Sequence, residues 1–479
     1  MSYTVAQNTS FLTVASVLQR AISFVYFIVI ARIIGVENTG VYFFAITFTT
    51  IFTVVADFGL NPVLTREAAR YPEKSEEFFS TVFLTKIVFG VVAYGLVVFF
   101  INLFNYPTLT KELVYLSGLT MFFDNLHSSF YSLFRARKNL IYESIGIIGS
   151  QFLTAIIGTI ALLNHWPLLW LILAYTIPSG LNVLYSGWFA HKIYNLKHFW
   201  LWRKELFVAF VVFSWPFALA GIISRFYSYS DSLLMSKMLS PQELGWWSVP
   251  YKITFAFQFI PVALVASVYP AMSSFYLEEK EKIGELFEKS WRYLLTIVLP
   301  LSFGLMVLAY PVITKIYKPE YAPAVPVLQI LLISLIFGFL AFTTGALLNA
   351  TNHQKIQTSL LGVSLVISVV LNLILLPRLG IIGAAVSATI SNFVLLLGGF
   401  VFSRRYVVIS GRNLWKYFNQ AFWPAVVMAV VVYLLVQKIN FLITIPIGVL
   451  VYFILLWLTG GIDRELINNI KAKIKFTKN

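Results

Sequence analysis

The sequence is divided into fourteen apolar segments, each about as long as a membrane-spanning helix. An α-helix needs about 20 mostly apolar residues to cross the hydrocarbon core of a bilayer. Inside lipid, every backbone N–H and C=O group must be satisfied within the protein, which favours helices over open sheets. The chain is therefore predicted to be an all-α integral membrane protein. The segments cover residues 9–34, 40–63, 78–102, 112–134, 140–163, 167–190, 206–236, 246–275, 290–314, 325–349, 356–376, 381–403, 421–437 and 441–459.

The composition excludes several classes of protein. Of the 479 residues, 59% are hydrophobic and 11% are charged, whereas soluble domains carry about 25% charged residues. The chain has no cysteine, and its histidines form no HxxxH pair, so we predict no metal site and no thiol chemistry. No GxxxxGK[ST] loop is present, so ATP is not expected as a cofactor. Short loops leave no room for a catalytic domain, and we predict no catalytic residues.

The net charge of +15 has to be assigned by location rather than attributed to a nucleic-acid partner. The loops after even-numbered segments, together with the C-terminal tail, hold 24 lysines and arginines, and the loops after odd-numbered segments hold 7. Positively charged loops stay on the cytoplasmic side. We therefore expect a multi-pass protein of the cytoplasmic membrane with both termini in the cytoplasm.

An internal repeat is indicated by two similar stretches 205 residues apart. Ala31–Tyr42 aligns with Ser236–Trp247, so that Gly40 meets Gly245. The same offset places Arg20 on Arg225. Transporters often contain parallel repeats of this kind. We predict two six-helix lobes and an appended pair of helices: an N-lobe at 1–198, a C-lobe at 199–415, helices 13 and 14 at 416–462, and a basic cytoplasmic tail at 463–479.

Four cations fall inside the predicted spans away from their ends, and they are the candidate substrate-binding residues. An arginine at the centre of a membrane helix costs about 2.5–3.5 kcal/mol on insertion scales, so it usually faces a wet cavity or a partner charge. Arg20 and Arg225 are predicted to line a shared cleft that receives an anionic cargo, or else to neutralise a buried carboxylate. Lys252 and Lys86 are further candidates, with snorkelling to the membrane surface as their alternative.

Three acids also fall inside the spans away from their ends, namely Asp57, Asp124 and Asp231. A lone buried carboxylate tends to take up a proton, so each is a candidate proton carrier or an ion-pair partner for Arg20, Arg225 or Lys252. Asp57 begins the stretch DFGLNP, and its carboxylate is predicted to satisfy backbone N–H groups freed there. Asp124 lies in the most polar stretch of any span. This stretch is predicted to contact sugar hydroxyls of the cargo, to carry a proton, or to make polar contacts between helices.

Several motifs resemble the polysaccharide transporters, the O-antigen flippase branch of the multidrug/oligosaccharidyl-lipid/polysaccharide exporter superfamily. The resemblance covers the full length of the chain. Its motifs are R-x-x-G-x-x-x-x-G-x-Y from Arg32, D-x-G from Asp57, T-R-E-x-A from Thr65, LGIIGAA at Leu379–Ala385 and NATNHQ at Asn349–Gln354.

The resemblance implies a function and a cargo. That family moves oligosaccharides linked to polyprenyl phosphate or diphosphate across the cytoplasmic membrane by alternating access, for cell-surface polysaccharide synthesis. We therefore expect such a substrate, the lipid bilayer and a polysaccharide polymerase or assembly protein as partners, with proton or sodium coupling left open. The alternatives are a multidrug or cation extruder, a lipid II flippase of the same superfamily, and a membrane glycan polymerase. The residues do not specify the sugar.

Overall fold

The computed structural model describes residues 5–196 and 200–461, and the described residues form helices and no strands. Fourteen α-helices follow one another with short connections. They are α1 (Val5–Asp57), α2 (Leu60–Arg70), α3 (Ser75–Leu103), α4 (Thr108–Ala136), α5 (Ile141–Leu163), α6 (Leu169–Tyr194), α7 (Lys204–Met238), α8 (Pro241–Phe257), α9 (Phe259–Glu278), α10 (Lys280–Pro311), α11 (Ala324–Ala350), α12 (Gln354–Tyr406), α13 (Gly411–Val436) and α14 (Phe441–Leu458).

The two longest helices, α1 and α12, each contain an interruption at a glycine. Gly35 has φ 77° and Gly380 has φ 53°, values at which a residue with a β-carbon is strained. Both interruptions fall in the gaps between predicted segments, 34 to 40 and 376 to 381. Each long helix therefore consists of two arms, and α1 has a first arm before Gly35 and a second arm after it.

Eleven helical segments of the described chain are long and apolar enough to cross a membrane, and two of these contain the interrupted helices α1 and α12. Helix α4 is long enough at 29 residues but is not among the eleven. Its polar residues lower its hydropathy, and it packs between α3 and α6, which are both apolar. The chain is therefore a multi-pass membrane protein, and the count of fourteen spans stays a prediction.

The first of two compact units comprises residues 1–248. In it, α4 packs against α6, α3, α1 and α2, and α7 packs against α1, α2 and α3. An aromatic core that includes Phe79, Phe83, Phe130 and Phe134 ties α3 to α4. The unit extends past the predicted end of the N-lobe at residue 198 because α7 packs on the helices before it.

The second unit comprises residues 249–479, of which 249–461 are described. Here α11 packs against α12 and α10, and α10 also packs against α13. The predicted segment 246–275 is two helices, α8 and α9, separated at Gln258. The lobe boundaries predicted from the repeat stay predictions, and the basic tail at 463–479 lies outside the described residues.

Candidate functional site

Arg20 lies on a polar stripe along the first arm of α1. Thr13, Ser16, Arg20 and Ser23 recur at a spacing of three to four residues, which confines them to an arc of about 80° on a helix of 3.6 residues per turn. Thr13 and Arg20 are exposed, while both serines are half-buried. Apolar side chains occupy the opposite side of this arm, where Val25 is 58% exposed. One exposed face of α1 therefore suits lipid, and the other suits water.

Arg225 occupies an equivalent position on α7. It is exposed, as is Ser224, and the hydroxyl of Ser228 donates to the carbonyl of Ser224 at 3.0 Å. The offset of 205 that relates Arg20 to Arg225 also relates Ser23 to Ser228. Both helices therefore carry an arginine followed three residues later by a serine on the same face.

Neither arginine is neutralised by a carboxylate. Within residues 5–196 and 200–461, the ion pairs leave the guanidinium groups of Arg20 and Arg225 without an acidic partner. Both side chains are exposed on helices apolar enough to span a membrane. An exposed guanidinium in such a helix is stable where it faces water or an anion rather than hydrocarbon. The predicted alternative, a structural pairing with a buried carboxylate, does not occur among the described residues.

Lys86 is held in a buried cluster on α3. Its ammonium lies 2.9 Å from Asp57 Oδ1 and donates to Asn61 Oδ1 at 2.8 Å and to Ser128 Oγ at 2.9 Å. The side chain has no exposed surface. Because an ammonium group has three N–H donors, these three partners occupy it fully. Lys86 therefore neither snorkels nor remains available to bind cargo.

The same contacts revise the interpretation of Asp57. Helix α2 begins after Gly59 without a side chain capping its N-terminus, so the predicted capping role of Asp57 is wrong. Its carboxylate pairs with Lys86 instead. The pair fixes the junction between α1 and α2 against α3.

Asp124 lies near the middle of α4 and contacts α6. Its Oδ1 accepts a hydrogen bond from Ser179 Oγ at 2.6 Å and lies 3.2 Å from His127 Nε2. The carboxylate side chain is 51% exposed. Two turns further along α4, Tyr131 donates to Asn182 of α6 at 3.0 Å. The predicted use of this stretch in helix packing is thus observed, and a carboxylate remains exposed within it.

The other two candidates lie further along the chain. Asp231 is buried in α7, with 9% of its surface exposed. Lys252 lies in α8 and is half-buried. It belongs to the second compact unit, whereas the other candidates belong to the first.

Gly40 of α1 and Gly245 of α8 are the two glycines of the repeat, and each lies against the helix that carries the other. A β-carbon at Gly40 would collide with the carbonyl oxygen of Pro241, and one at Gly245 would collide with the carbonyl oxygen of Val36. Glycine is required at both positions because the backbones approach this closely. We call Val36, Gly40, Pro241 and Gly245 the glycine contact.

A polar cluster in the same unit joins α7 to the α3–α4 connection. Tyr106 shares a 2.7 Å hydrogen bond with Ser236, and Lys237 lies 3.7 Å from the centre of the Tyr106 ring and donates to the Phe104 carbonyl. Burial raises the pKa of Tyr106 to about 12, partly offset by the Ser236 hydrogen bond. The hydroxyl therefore stays protonated at neutral pH.

Some of these residues were not found by sequence reasoning. Asn61, Ser128 and Ser179 lack charge, and their importance follows only from which helices become neighbours. The stretch DFGLNP did contain Asn61 four residues after Asp57, a spacing that places both on one helical face. However, the interruption at Gly59 made that spacing uninformative.

Helical spans, interrupted helices and paired intramembrane charges define a polytopic membrane transporter. The family model described as "Polysaccharide biosynthesis protein" matches residues 5–276, and the MatE model matches residues 216–374. The first match covers more than half of the chain. The protein belongs to the polysaccharide biosynthesis protein family.

Similar proteins are found among characterised sequences and solved structures. The chain is 22% identical over 397 residues to the probable low-salt glycan biosynthesis flippase Agl15 of Haloferax volcanii, covering 81% of this chain and 80% of that protein. It is 22% identical over 412 residues to the capsular polysaccharide biosynthesis protein CapF of Staphylococcus aureus, covering 83% and 99%. The structure of lipid II flippase MurJ in an inward closed conformation matches with a TM-score of 0.75 at 19% identity, covering 93% and 97%.

Proposed function

We propose that this protein is a flippase that moves an oligosaccharide linked to a polyprenyl phosphate or diphosphate across a membrane. The observation that carries the proposal is the pair of exposed, unneutralised arginines, Arg20 and Arg225, on spanning helices of a polysaccharide biosynthesis protein. The names of the similar proteins, glycan biosynthesis flippase and capsular polysaccharide biosynthesis protein, point to the same cargo class.

The chemistry of the two arginines suits the anionic end of such a lipid. A guanidinium group is planar and always charged, and it can donate two parallel hydrogen bonds to phosphate oxygens. The Ser23 hydroxyl beside Arg20 adds a hydrogen-bond donor for phosphate or sugar oxygens, whereas the Ser228 hydroxyl beside Arg225 already donates to the Ser224 carbonyl. A site that bound organic cations would need carboxylates at the positions that Arg20 and Arg225 occupy, so the multidrug reading is disfavoured.

The two helices are proposed to belong to two six-helix lobes that rock about the cargo. The glycine contact supports this arrangement because its two close approaches are reciprocal. Gly40 lies against the backbone of Pro241, and Gly245 lies against the backbone of Val36. The offset of 205 relates Val36 to Pro241 as well as Gly40 to Gly245. A contact in which i meets j and j meets i is the signature of a two-fold axis. We infer that fourteen spans form two parallel repeats and an appended pair.

The remaining features of the proposal follow from charge distribution and chemistry. The concentration of lysine and arginine in the even-numbered loops favours the cytoplasmic membrane with both termini in the cytoplasm. Transport is proposed to draw on an ion gradient of protons or sodium rather than on ATP. The products would serve a polysaccharide polymerase on the other face of the membrane.

Translocation by purified protein in proteoliposomes tests the proposal. A fluorescent lipid-linked oligosaccharide is reconstituted with wild-type protein, Arg20→Gln, Arg225→Gln or Arg378→Gln, and its transfer between leaflets is measured. A hydrogen bond to a charged group contributes about 1.5–3 kcal/mol, so each cleft substitution is expected to lower the rate at subsaturating cargo about ten- to hundredfold. Arg378, an exposed arginine in α12, serves as the matched control and should leave the rate unchanged.

The assay also separates the alternatives. Wild-type protein that transports an organic cation but not the lipid-linked sugar would establish the extruder class. If Arg20→Gln and Arg225→Gln both transported the cargo at the wild-type rate, the two arginines would not belong to the cargo site.

A further inference from the structure

The contact between α4 and α6 holds a carboxylate and an imidazole that the cargo site does not use. Asp124 Oδ1 accepts from Ser179 and lies 3.2 Å from His127 Nε2. We call Asp124, His127 and Ser179 the α4–α6 triad. The Asp124 side chain is half exposed, whereas the His127 side chain is 16% exposed. Asp124 is therefore accessible from outside the protein, whereas His127 lies mostly inside the helix bundle.

Hydrogen-bonding roles follow from the charge of the carboxylate. An ionised carboxylate only accepts, so Nε2 of His127 carries the hydrogen and Nδ1 is the bare nitrogen. That Nδ1 atom is buried and has no hydrogen-bond partner among the described residues. The pair has one negative charge in this state, and one further proton would make it neutral.

No lysine or arginine of the described chain neutralises Asp124. This distinguishes it from Asp57, which is paired with Lys86 in the same unit. A carboxylate near the middle of a helix in a membrane bundle that is half exposed and has no lysine or arginine partner faces water, because exposure to hydrocarbon is far more costly. Chains of acidic residues and histidines at this depth are typical of proton relays.

Other titratable groups near the triad are already engaged. On α4, the Tyr131 ring lies 4.9 Å from that of His127, and its hydroxyl bonds Asn182. From α5, Glu143 pairs with Arg135 of α4. On the α3 side of α4, Lys86 and Asp57 neutralise each other. The facing residues of α6, Thr176, Ser179 and Asn182, carry no charge. The Asp124–His127 pair is thus the titratable group left over.

We propose that the Asp124–His127 pair binds and releases the proton that drives transport in this protein. The inference rests on the proposed flippase function and specifies its coupling ion. A proton from water on one side neutralises the pair, and it returns to water on the other side when the pair ionises. Because the two groups interact, the proton belongs to the pair. A sodium ion fits poorly, since Oδ1 of Asp124 already faces two donors and the triad supplies few other oxygens.

The steady-state distribution of cargo between leaflets, measured in proteoliposomes under an imposed pH gradient, tests this proposal. If one proton exchanges for one cargo molecule, the distribution shifts about tenfold per pH unit toward the acidic side. Asp124→Asn keeps an oxygen that accepts from Ser179 and His127, so folding is expected to be preserved. Because an amide does not take up and release a proton as a carboxylate does, the shift is expected to be lost. Exchange without a gradient should continue. Thr120→Val removes the hydrogen bond to Thr176 between the same two helices but leaves the triad intact, and it should behave as wild type.

The outcomes distinguish a failure of the proton-binding proposal from a failure of the proposed flippase function. Wild-type protein that exchanges no cargo even without a gradient would overturn the flippase function, and the inference with it. Exchange by wild type together with an unchanged pH shift in Asp124→Asn would overturn the inference alone. A shift produced by a sodium gradient and not by a pH gradient would do the same. Equal losses in Asp124→Asn and Thr120→Val would also overturn the inference, because they would assign Asp124 to helix packing.

Discussion

At the residue scale, the intramembrane cations have different contacts, and these contacts indicate different roles. Lys86 is enclosed and saturated by three oxygens, whereas Arg20 and Arg225 are exposed and unneutralised. Sequence position alone placed all of them in spans, but it did not show which would find a carboxylate. The difference follows from packing, because α3 brings Lys86 against the junction after Asp57, and no acid within residues 5–196 or 200–461 pairs with either arginine.

The buried pair predicts a specific stability result. Removing one partner of a buried ion pair leaves an uncompensated charge and costs about 3–5 kcal/mol. Because Asp57 is partly exposed, we expect Lys86→Met to lower the free energy of unfolding by about 3 kcal/mol. The double variant Lys86→Met/Asp57→Asn should recover part of this loss, since no unpaired charge remains. Thermal unfolding of the purified protein measures both.

Lys416 provides the control for that comparison. It is an exposed lysine on α13, so Lys416→Met should leave the melting temperature unchanged. A melting temperature for Lys86→Met equal to that of wild type would contradict the structural role of the pair.

At the element scale, apolar length predicted where the helices lie but not how they break. The predicted pairs 9–34 with 40–63 and 356–376 with 381–403 correspond to the arms of α1 and α12. The division of segment 246–275 at Gln258 was not predicted, although Pro261, in the first turn of α9, lacks the N–H group that would continue α8. Helix α4 was predicted as a span, and several of its polar side chains are accommodated by bonds to α3 and α6. Asn125 donates to the Lys86 carbonyl and Thr120 shares a hydrogen bond with Thr176, whereas Asp124 stays half exposed.

The contact of α7 with the α3–α4 connection makes a prediction about motion between elements. If the lobes rock, Tyr106 and Ser236 must separate during each cycle. Since the chain has no cysteine, Tyr106→Cys/Ser236→Cys can be joined by a short bifunctional thiol reagent without side reactions. We expect the joined protein to stop transporting and to recover when a cleavable linker is cut, as measured by cargo transfer in proteoliposomes.

A second cysteine pair controls for the effect of cross-linking itself. Thr49 and Ser117 share a 2.7 Å hydrogen bond between α1 and α4, both in the predicted N-lobe. Joining Thr49→Cys to Ser117→Cys should leave transport intact. Equal inhibition by both cross-links, or by neither, would argue against separation at Tyr106.

At the scale of the whole molecule, composition and loop charge predicted a membrane transporter, and the motifs predicted its family. The family is confirmed by the match over residues 5–276. The cargo site was predicted less completely, because its residues come from helices far apart in the sequence. The repeat offset supplied the link between Arg20 and Arg225, and the reciprocal glycine contact is the structural feature that follows the same offset.

The central claim is that the protein moves a glycan lipid and recognises its anionic end. The most direct measurement compares transfer of two cargoes by wild-type protein in proteoliposomes: an oligosaccharide on a polyprenyl diphosphate, and the same oligosaccharide on a neutral polyprenyl ether. Two arginine contacts to phosphate, each of about 1.5–3 kcal/mol, predict that the diphosphate is moved at least about a hundredfold faster at low concentration. Equal rates for the two cargoes would contradict the account.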